Sequence, residues 1–357
     1  MNFLDQPAPI RPGEELDVKR LQQFLQTHQL LRDEQLSIMQ FPRGFSNLTY
    51  WLRCGEREFV LRRSPHGAHV KSGHDMGREY RMLAALIAVY PKVPRPLLFC
   101  EDAGVIGSPF YVMERVHGVI LRNHAPDSLG LSSEVMQGLS QAFIDNLATL
   151  HRLDIYSANL AELGKPQGYV ARQVEGWTQR YRTAQTDEMP QLEEAMAWLP
   201  QHLPAESGAS IIHNDYKYDN LVLDPADRTN IITVLDWEMA TIGDPLMDLG
   251  TSLGYWIEAG DPAPLRMFGL THLPGNLDRR QLVARYLEQR GCAEFDPLFY
   301  YVYGVFKIAA IAQQIYGRFR RGATQDARFA QLLAVVRACG ELSSRALDRN
   351  RVHQLFQ

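Results

Sequence analysis

The stretch IIHNDYKYDNLVLD, residues 211–224, sets one histidine, two asparagines, two aspartates and a lysine between two apolar runs. Ile211-Ile212 and Leu221-Val222-Leu223 read as short buried strands, so the polar residues occupy a tight loop between them. A second apolar run, IITVLD (231–236), ends in Asp236, 16 residues after Asn220. If the strands flanking the loop pair with this run, Asn220 and Asp236 meet at one end of a hairpin. A carboxylate and an amide oxygen suit Mg²⁺, a hard cation that keeps coordination positions open for nucleotide phosphates. Asp215, set slightly apart, is then placed to orient an acceptor hydroxyl and take its proton, an arrangement that recurs in phosphoryl transfer.

Outward from the loop, the chain changes texture. LDVKRLQQFLQTHQLL has helical spacing with Asp17 as a candidate cap. LSIMQF, LTYWLR and EFVLRR, within 36–63, predict a three-strand antiparallel meander with a glycine, Gly44, at its first bend. After a segment rich in Gly and His comes MGREYRMLAALIAVY, a predicted helix with Met76, Tyr80, Leu83 and Ile87 on one face. LLFC and PFYVMERV supply two further strands. Beyond His117-Gly118 the pattern is mostly helical, with helices over SSEVMQGLSQAFIDNLATLHRLD, YVARQVEGWTQRYRTA and PQLEEAMAWLPQHL. The order predicts a β-rich lobe, a short connector near 114–120 and a helical lobe carrying one strand-loop insert.

Composition bounds the function. The 357 residues are 45% hydrophobic and 22% charged, as expected of a globular protein with a substantial core. A net charge of −4 argues against a nucleic-acid binder. The charge is uneven: Thr271 to Gln357 holds 13 Lys and Arg against 7 Asp and Glu, a net of +6, leaving −10 for the preceding residues. Four dispersed cysteines show no zinc or disulfide spacing, which fits a reducing cytoplasm. No signal-like core opens the chain. The most apolar stretch, YYVYGVFKIAAIAQQIYG (300–317), is interrupted by Lys307 and two Gln and reads as a buried helix. The expectation is a cytoplasmic protein with no membrane partner.

His213-Asn214-Asp215 with Asn220, followed by Leu235-Asp236-Trp237-Glu238, resembles the catalytic loop and metal-binding motif of the aminoglycoside phosphotransferase and choline kinase group, within the protein-kinase-like fold. GFSNLTYWL (44–52) resembles the family's nucleotide-covering turn, SGHDMGREYRML (72–83) its small-lobe helix, and GDPLMDLG (243–250) the stretch after the metal Asp. The resemblance covers nearly the whole chain. It is nearest to kinase-like proteins related to the N-terminal domain of certain animal acyl-CoA dehydrogenases. Four motifs in order are far more specific than any one.

The resemblance implies an α+β, bilobal fold: a nucleotide-binding lobe over 1–117, with a five-stranded antiparallel sheet plus helix, and a mostly helical lobe over 118–357 holding the catalytic loop and acceptor site. It implies Asp215 as base, Lys217 near the transferred phosphate, Asn220 and Asp236 as Mg²⁺ ligands, and Glu238 as an auxiliary carboxylate. ATP is the implied nucleotide. Where the family usually has Val-Leu-Lys, this chain reads Val60-Leu61-Arg62. Arg62 keeps the charge and can pair with phosphate and with Glu79, although its reach and geometry differ from lysine's. Strand alternation puts Val60 and Arg62 on one face and selects Arg62 over Arg63.

Ser46 and Asn47 at the first bend are candidates for meeting the phosphates, weighed equally against a plain hairpin turn. The backbone at Glu114 and Val116 is placed to meet an adenine edge, although a simple strand end would read the same. His213 and Asp248 are expected to brace the site, His213 by bonding backbone near Asp236. His151 reads as a satisfied core histidine. His66, His69 and His74 lack carboxylate or cysteine at ligand spacing and read as a phosphate-side loop.

The resulting expectation is a kinase moving the γ-phosphoryl group of ATP to an alcohol, with a hydroxyacyl-CoA or hydroxy acid as favoured acceptor. An aminoglycoside or amino alcohol is the alternative within that class. A nucleotide-binding scaffold without transfer activity is the alternative outside it, and Arg62 is the feature that favours it.

Overall fold

The computed structural model describes residues 6–32, 34–41, 47–65, 75–124, 129–156, 160–324 and 326–357. Contacts divide the chain into two compact units. One is Met1–Ile120 with Val222–Pro225 and Ile232–Ala240, and the other is Leu121–Leu221, Ala226–Ile231 and Thr241–Gln357.

The first unit is built on an antiparallel sheet of β1 (Leu36–Gln40), β2 (Leu48–Cys54), β3 (Arg57–Arg63), β4 (Pro96–Cys100) and β5 (Phe110–Glu114), in the order β1-β2-β3-β5-β4. Register explains its two faces. Tyr50 opposes Leu61, and Leu61 opposes Val112, all three buried in one apolar cluster with Leu21 and Leu25 of α1 (Val18–Thr27). One residue on, Thr49, Arg62 and Tyr111 face the other way. Tyr80 of α2 (Met76–Leu86) stacks on Phe99 at 5.7 Å and lies 6.4 Å from Tyr111 on that second face. The period of two that selected Arg62 also sends Arg63 into the opposite core, where its Nη1 donates to the Ile106 carbonyl at 2.8 Å.

Asp17 caps α1 and Asp75 caps α2, each accepting the backbone N–H three residues on. The buried face of α2 differs from the expected one. Met76, Glu79, Met82, Leu83 and Leu86 point inward, while Tyr80 and Ile87 are only half-buried. The helix turns this way because Glu79 has a cation to meet.

The second unit is helical: α3 (Ser133–His151), α4 (Tyr169–Ala184), α5 (Pro190–Trp198), α6 (Pro245–Tyr255), α7 (Arg279–Arg290), α8 (Leu298–Arg320) and α9 (Leu332–Arg349). The apolar run around Lys307 is indeed a buried helix, α8, and no helix among the described residues is long and apolar enough to cross a membrane. Close approach of α6 to α8 depends on two glycines. A Cβ on Gly250 would fall on the Tyr300 carbonyl, and one on Gly304 would fall on the Gly250 carbonyl.

The loop quoted at the outset lies between β6 (Ser210–Ile212) and β7 (Leu221–Leu223). β7 pairs with β8 (Ile231–Val234), but β6 does not join them. It pairs antiparallel with β9 (Thr241–Gly243), a three-residue strand that the sequence pattern did not isolate. The hairpin expected from both flanks of the loop is therefore two separate pairings. The bridge between Val119 and Leu223 ties β7 to the connector.

Candidate active site

In the helical unit, the polar loop is a line of alternating residues. Tyr216 and Tyr218 are buried, while Asp215, Lys217 and Asp219 keep partial exposure. Tyr216 sits 4.6 Å from the Phe143 ring and donates its hydroxyl to the Phe143 carbonyl. Tyr218 meets the Trp256 ring at 5.0 Å and donates to Asn276 Oδ1. These two anchors hold the loop by the faces that carry no chemistry. The sequence reading treated the loop as wholly polar and missed them, although the D-Y-K-Y-D alternation was there to see.

The charged residues converge. Lys217 Nζ lies 3.0 Å from Asp215 Oδ2 and 3.9 Å from Asp219 Oδ1. Asn220 Nδ2 donates to both the carbonyl and the carboxylate of Asp215, at 2.8 and 3.0 Å. Lys217 also sits 4.7 Å from the centre of the Tyr255 ring, and the Tyr255 phenol lies close enough to Asp215 to feel its charge. Burial disfavours the Lys217 ammonium, but Asp215 and Asp219 more than offset it and hold the group well above its usual value. Burial and then Asp215 push the Tyr255 phenol up, so it stays a donor. Tyr255 carries no motif, and nothing in the sequence marks it.

Behind the loop, fully buried Asp248 on α6 accepts the backbone N–H groups of His213 and Asn214, both at 2.7 Å. Its Oδ2 also meets His151 Nε2 at 3.1 Å, and His151 Nδ1 is 2.7 Å from the Tyr286 hydroxyl. Arg290 donates to that hydroxyl in turn. One polarity satisfies the chain: Arg290 to Tyr286, Tyr286 to Nδ1, and Nε2–H to Asp248. Burial lowers His151 and keeps it neutral, while the hydrogen bond from His151 and the loop amide outweigh burial at Asp248 and hold its carboxyl below the ordinary value. His213 accepts the Asp215 N–H on Nδ1 at 3.3 Å. Lys307, unassigned by the sequence, reaches Asn214 from α8.

In the sheet unit a second cluster forms around Arg62. Nη1 pairs with Glu79 Oε1 at 3.1 Å, and Nη2 with Asp236 Oδ1 at 2.9 Å and Glu238 Oε2 at 3.4 Å. Asn47 Nδ2 donates to Glu238 Oε2 at 2.6 Å. Burial works against the Arg62 charge, and Glu79, then Tyr111, Asp236 and Glu238, overcome it, leaving the guanidinium well above its usual value. Burial pushes Glu79 up and Arg62 only partly offsets that. Asp236 has a left-handed backbone, φ 67°, and opens a single 3₁₀ turn, Trp237–Met239. Asp tolerates this conformation better than most residues. Arg78 on α2 holds the same segment by donating to the Ala240 carbonyl at 2.6 Å.

Other candidates fall outside these clusters. The Glu114 side chain is exposed and pairs with Arg95 at 3.9 Å, and its N–H is committed to the Arg95 carbonyl. Val116 follows in the connector, half-buried. Ser46, Gly44, His66, His69 and His74 lie outside the described residues.

The donors suit Mg²⁺. Asn220 spends its amide nitrogen on Asp215, which leaves the amide oxygen as its remaining polar atom, and Asp236 offers a carboxylate on a constrained backbone. Among the described residues no group of three or more His, Cys, Asp or Glu could hold an ion alone. The Asn220 amide and the Asp236 carboxylate each present a hard oxygen donor of the kind Mg²⁺ prefers.

A five-stranded antiparallel sheet with a buried Arg–Glu pair, and a helical unit with a braced Asp-x-Lys-x-x-Asn loop, are the layout of the protein-kinase-like fold. Residues 37–283 match the phosphotransferase enzyme family, and the chain belongs to that family. Acyl-CoA dehydrogenase family member 11 of Homo sapiens is 35% identical over 323 residues, 88% of this chain and 41% of that protein. The chain thus spans less than half the length of the curated relatives it matches. A solved structure described as a "putative aminoglycoside phosphotransferase" from Ralstonia eutropha superposes with a TM-score of 0.78 at 31% identity, covering 94% of this chain and 99% of that one. Aminoglycoside 2'-phosphotransferase-IIIa, solved as its GDP complex, shares the fold at a TM-score of 0.60 and 15% identity, covering 91% and 98%.

Proposed function

We propose that this chain transfers the γ-phosphoryl group of ATP to an alcohol oxygen. The observation that carries the reading is Asp215, a partly exposed carboxylate oriented by Asn220 and Lys217 on a loop braced by Asp248. Asp215 accepts the acceptor's hydroxyl proton as the oxygen bonds to the γ-phosphorus and the bond to ADP breaks. Lys217 stands beside it to balance charge on the equatorial phosphate oxygens. Motif order assigns Asn220 and Asp236 as donors to Mg²⁺, which when bound would neutralise phosphate charge. Arg62 and Asn47 are assigned to the phosphates, together with Ser46. The Glu114 carbonyl and the Val116 backbone are assigned to the adenine edge. The site is read as ATP-dependent by family membership, with the GDP complex of a fold relative as support for a nucleotide.

The favoured acceptor is a hydroxyacyl-CoA or hydroxy acid. Support comes from the relatives' names in acyl-CoA metabolism and from the net positive 271–357 region, which suits an acceptor bearing phosphate or carboxylate. An aminoglycoside would call for an acidic surround. The test is ADP release with each acceptor class. Hydroxyacyl-CoA or hydroxy acids should stimulate it, and Asp215→Asn should lower the stimulated rate at least about a hundredfold with nucleotide affinity kept. Stimulation by aminoglycosides alone would reverse the acceptor assignment.

A non-transferring scaffold is favoured by one observation, the Arg62 guanidinium seated on Asp236. Identical ADP release by wild type and Asp215→Asn in every screen would select it.

A further inference from the structure

Lys307 lies midway along α8 with 1% of its surface exposed, among aromatic and aliphatic side chains. A lysine there is costly unless it does something a methionine could not. Its two hydrogen bonds both go to Asn214, at 2.7 Å to the backbone carbonyl and 3.1 Å to Oδ1. Asn214 directly precedes Asp215 and holds a left-handed backbone, φ 66°. That conformation costs a non-glycine residue energy and persists only where its surroundings impose it. Every polar group named on Asn214 is held: its N–H by Asp248, its Nδ2 by the Tyr169 hydroxyl, and both its oxygens by Lys307. The Lys307 ammonium also lies 5.7 Å from the Trp177 ring centre.

We propose that Lys307 is a positioning residue of the catalytic loop: its ammonium clamps Asn214 in the left-handed conformation and so fixes where the Asp215 carboxylate stands. Only the catalytic consequence rests on the phosphotransferase reading. The clamp is a statement about the loop.

The clamp has an alkaline limit. Burial pulls Lys307 down to about 8, only partly countered by Asp248 and Asp215. The charged groups acting on it are Asp248 from α6, Asp215 and Lys217 from the loop, and Arg180 from α4. A neutral amine keeps two N–H donors but loses charge assistance, so the clamp weakens as pH rises through that value.

The experiment is hydrogen exchange of the full chain, read by mass spectrometry over residues 211–220, with ADP formation from MgATP and water measured in parallel. Lys307→Met should speed loop exchange about tenfold, and Lys307→Arg should restore part of the protection. ADP formation should fall about tenfold in kcat with KM for ATP unchanged. In wild type, protection should drop above pH 8 by more than the intrinsic base-catalysed rise, and Lys307→Met should lack that excess. Wild-type exchange and turnover in Lys307→Met would overturn the proposal. If Lys307→Met does not fold, the wild-type profile decides, and no excess loss of protection across pH 8 overturns the clamp. If wild type forms no ADP with water or any acceptor, the functional reading fails, and loop exchange still decides the clamp.

Discussion

Arg62 is the shared cation of three carboxylates in the sheet unit, Glu79, Asp236 and Glu238. Its side chain is 10% exposed and that of Glu79 is 2% exposed, so the pair meets little water. Removing one partner leaves a buried charge without compensation, which costs about 3–5 kcal/mol. Arg62→Ala should therefore lower the unfolding free energy from urea titration by that amount, whereas Arg62→Lys, retaining a cation near Glu79, should lower it less. Tyr255→Phe should leave the fold nearly intact, about 1 kcal/mol, yet reduce kcat, because it removes the phenol beside Asp215 and Lys217. The choice of Arg62 was legible because a strand alternates with period two and the rule needs no partner information. Tyr255 was not legible: its role arises from where α6 ends relative to the loop, a tertiary fact with no local pattern.

At the scale of elements, α6 and α3 act on the loop through the Asp248–His151 pair. His151 is lowered from 6.5 in the fold, so between that value and its folded one the unfolded chain binds the extra proton, and stability falls as pH drops below 6.5. Asp248 is lowered from 3.8, so its contribution is present above that value and disappears only as pH falls through the lower folded value. Urea midpoints should accordingly decline first on acidification below 6.5, and His151→Gln, which keeps a donor for Asp248, should flatten that first decline. An unchanged slope in the variant would remove His151 from the account. Helices α6 and α8 need Gly250 and Gly304 at their crossing, and Gly304→Ala should cost about 1–3 kcal/mol by overpacking against the Gly250 carbonyl. Helix α4 was readable to the residue from its period, and α3 to within its last turn. β9 was not, because three residues are too few to show alternation and its partner β6 lies far back in sequence.

For the whole molecule, the roles proposed for Asp215, Asn220 and Asp236 rest on motif order, while the segment carrying Asp236 is held in the sheet unit by contacts no short window contains, to Arg62 and Arg78. That attachment gives the assignment a test with opposite signs. Without metal, Asp236 holds the Arg62 guanidinium that the proposed function assigns to phosphate, so the carboxylate competes with the nucleotide. With Mg²⁺, the same carboxylate is assigned to the ion. Ligand binding to the folded state alone raises stability by RT ln(1 + [L]/Kd), about 2.7 kcal/mol at a hundredfold excess over Kd, so the thermal midpoint of the whole chain reports affinity without needing an acceptor. In EDTA, Asp236→Ala should bind ATP more tightly than wild type, about tenfold if one charged hydrogen bond is released. In excess Mg²⁺ it should bind more weakly, because the ion has lost its carboxylate. A shift in the same direction under both conditions would mean that Asp236 serves Arg62 alone, and the metal assignment would have to move to another residue, with Glu238 the next carboxylate in reach of Arg62.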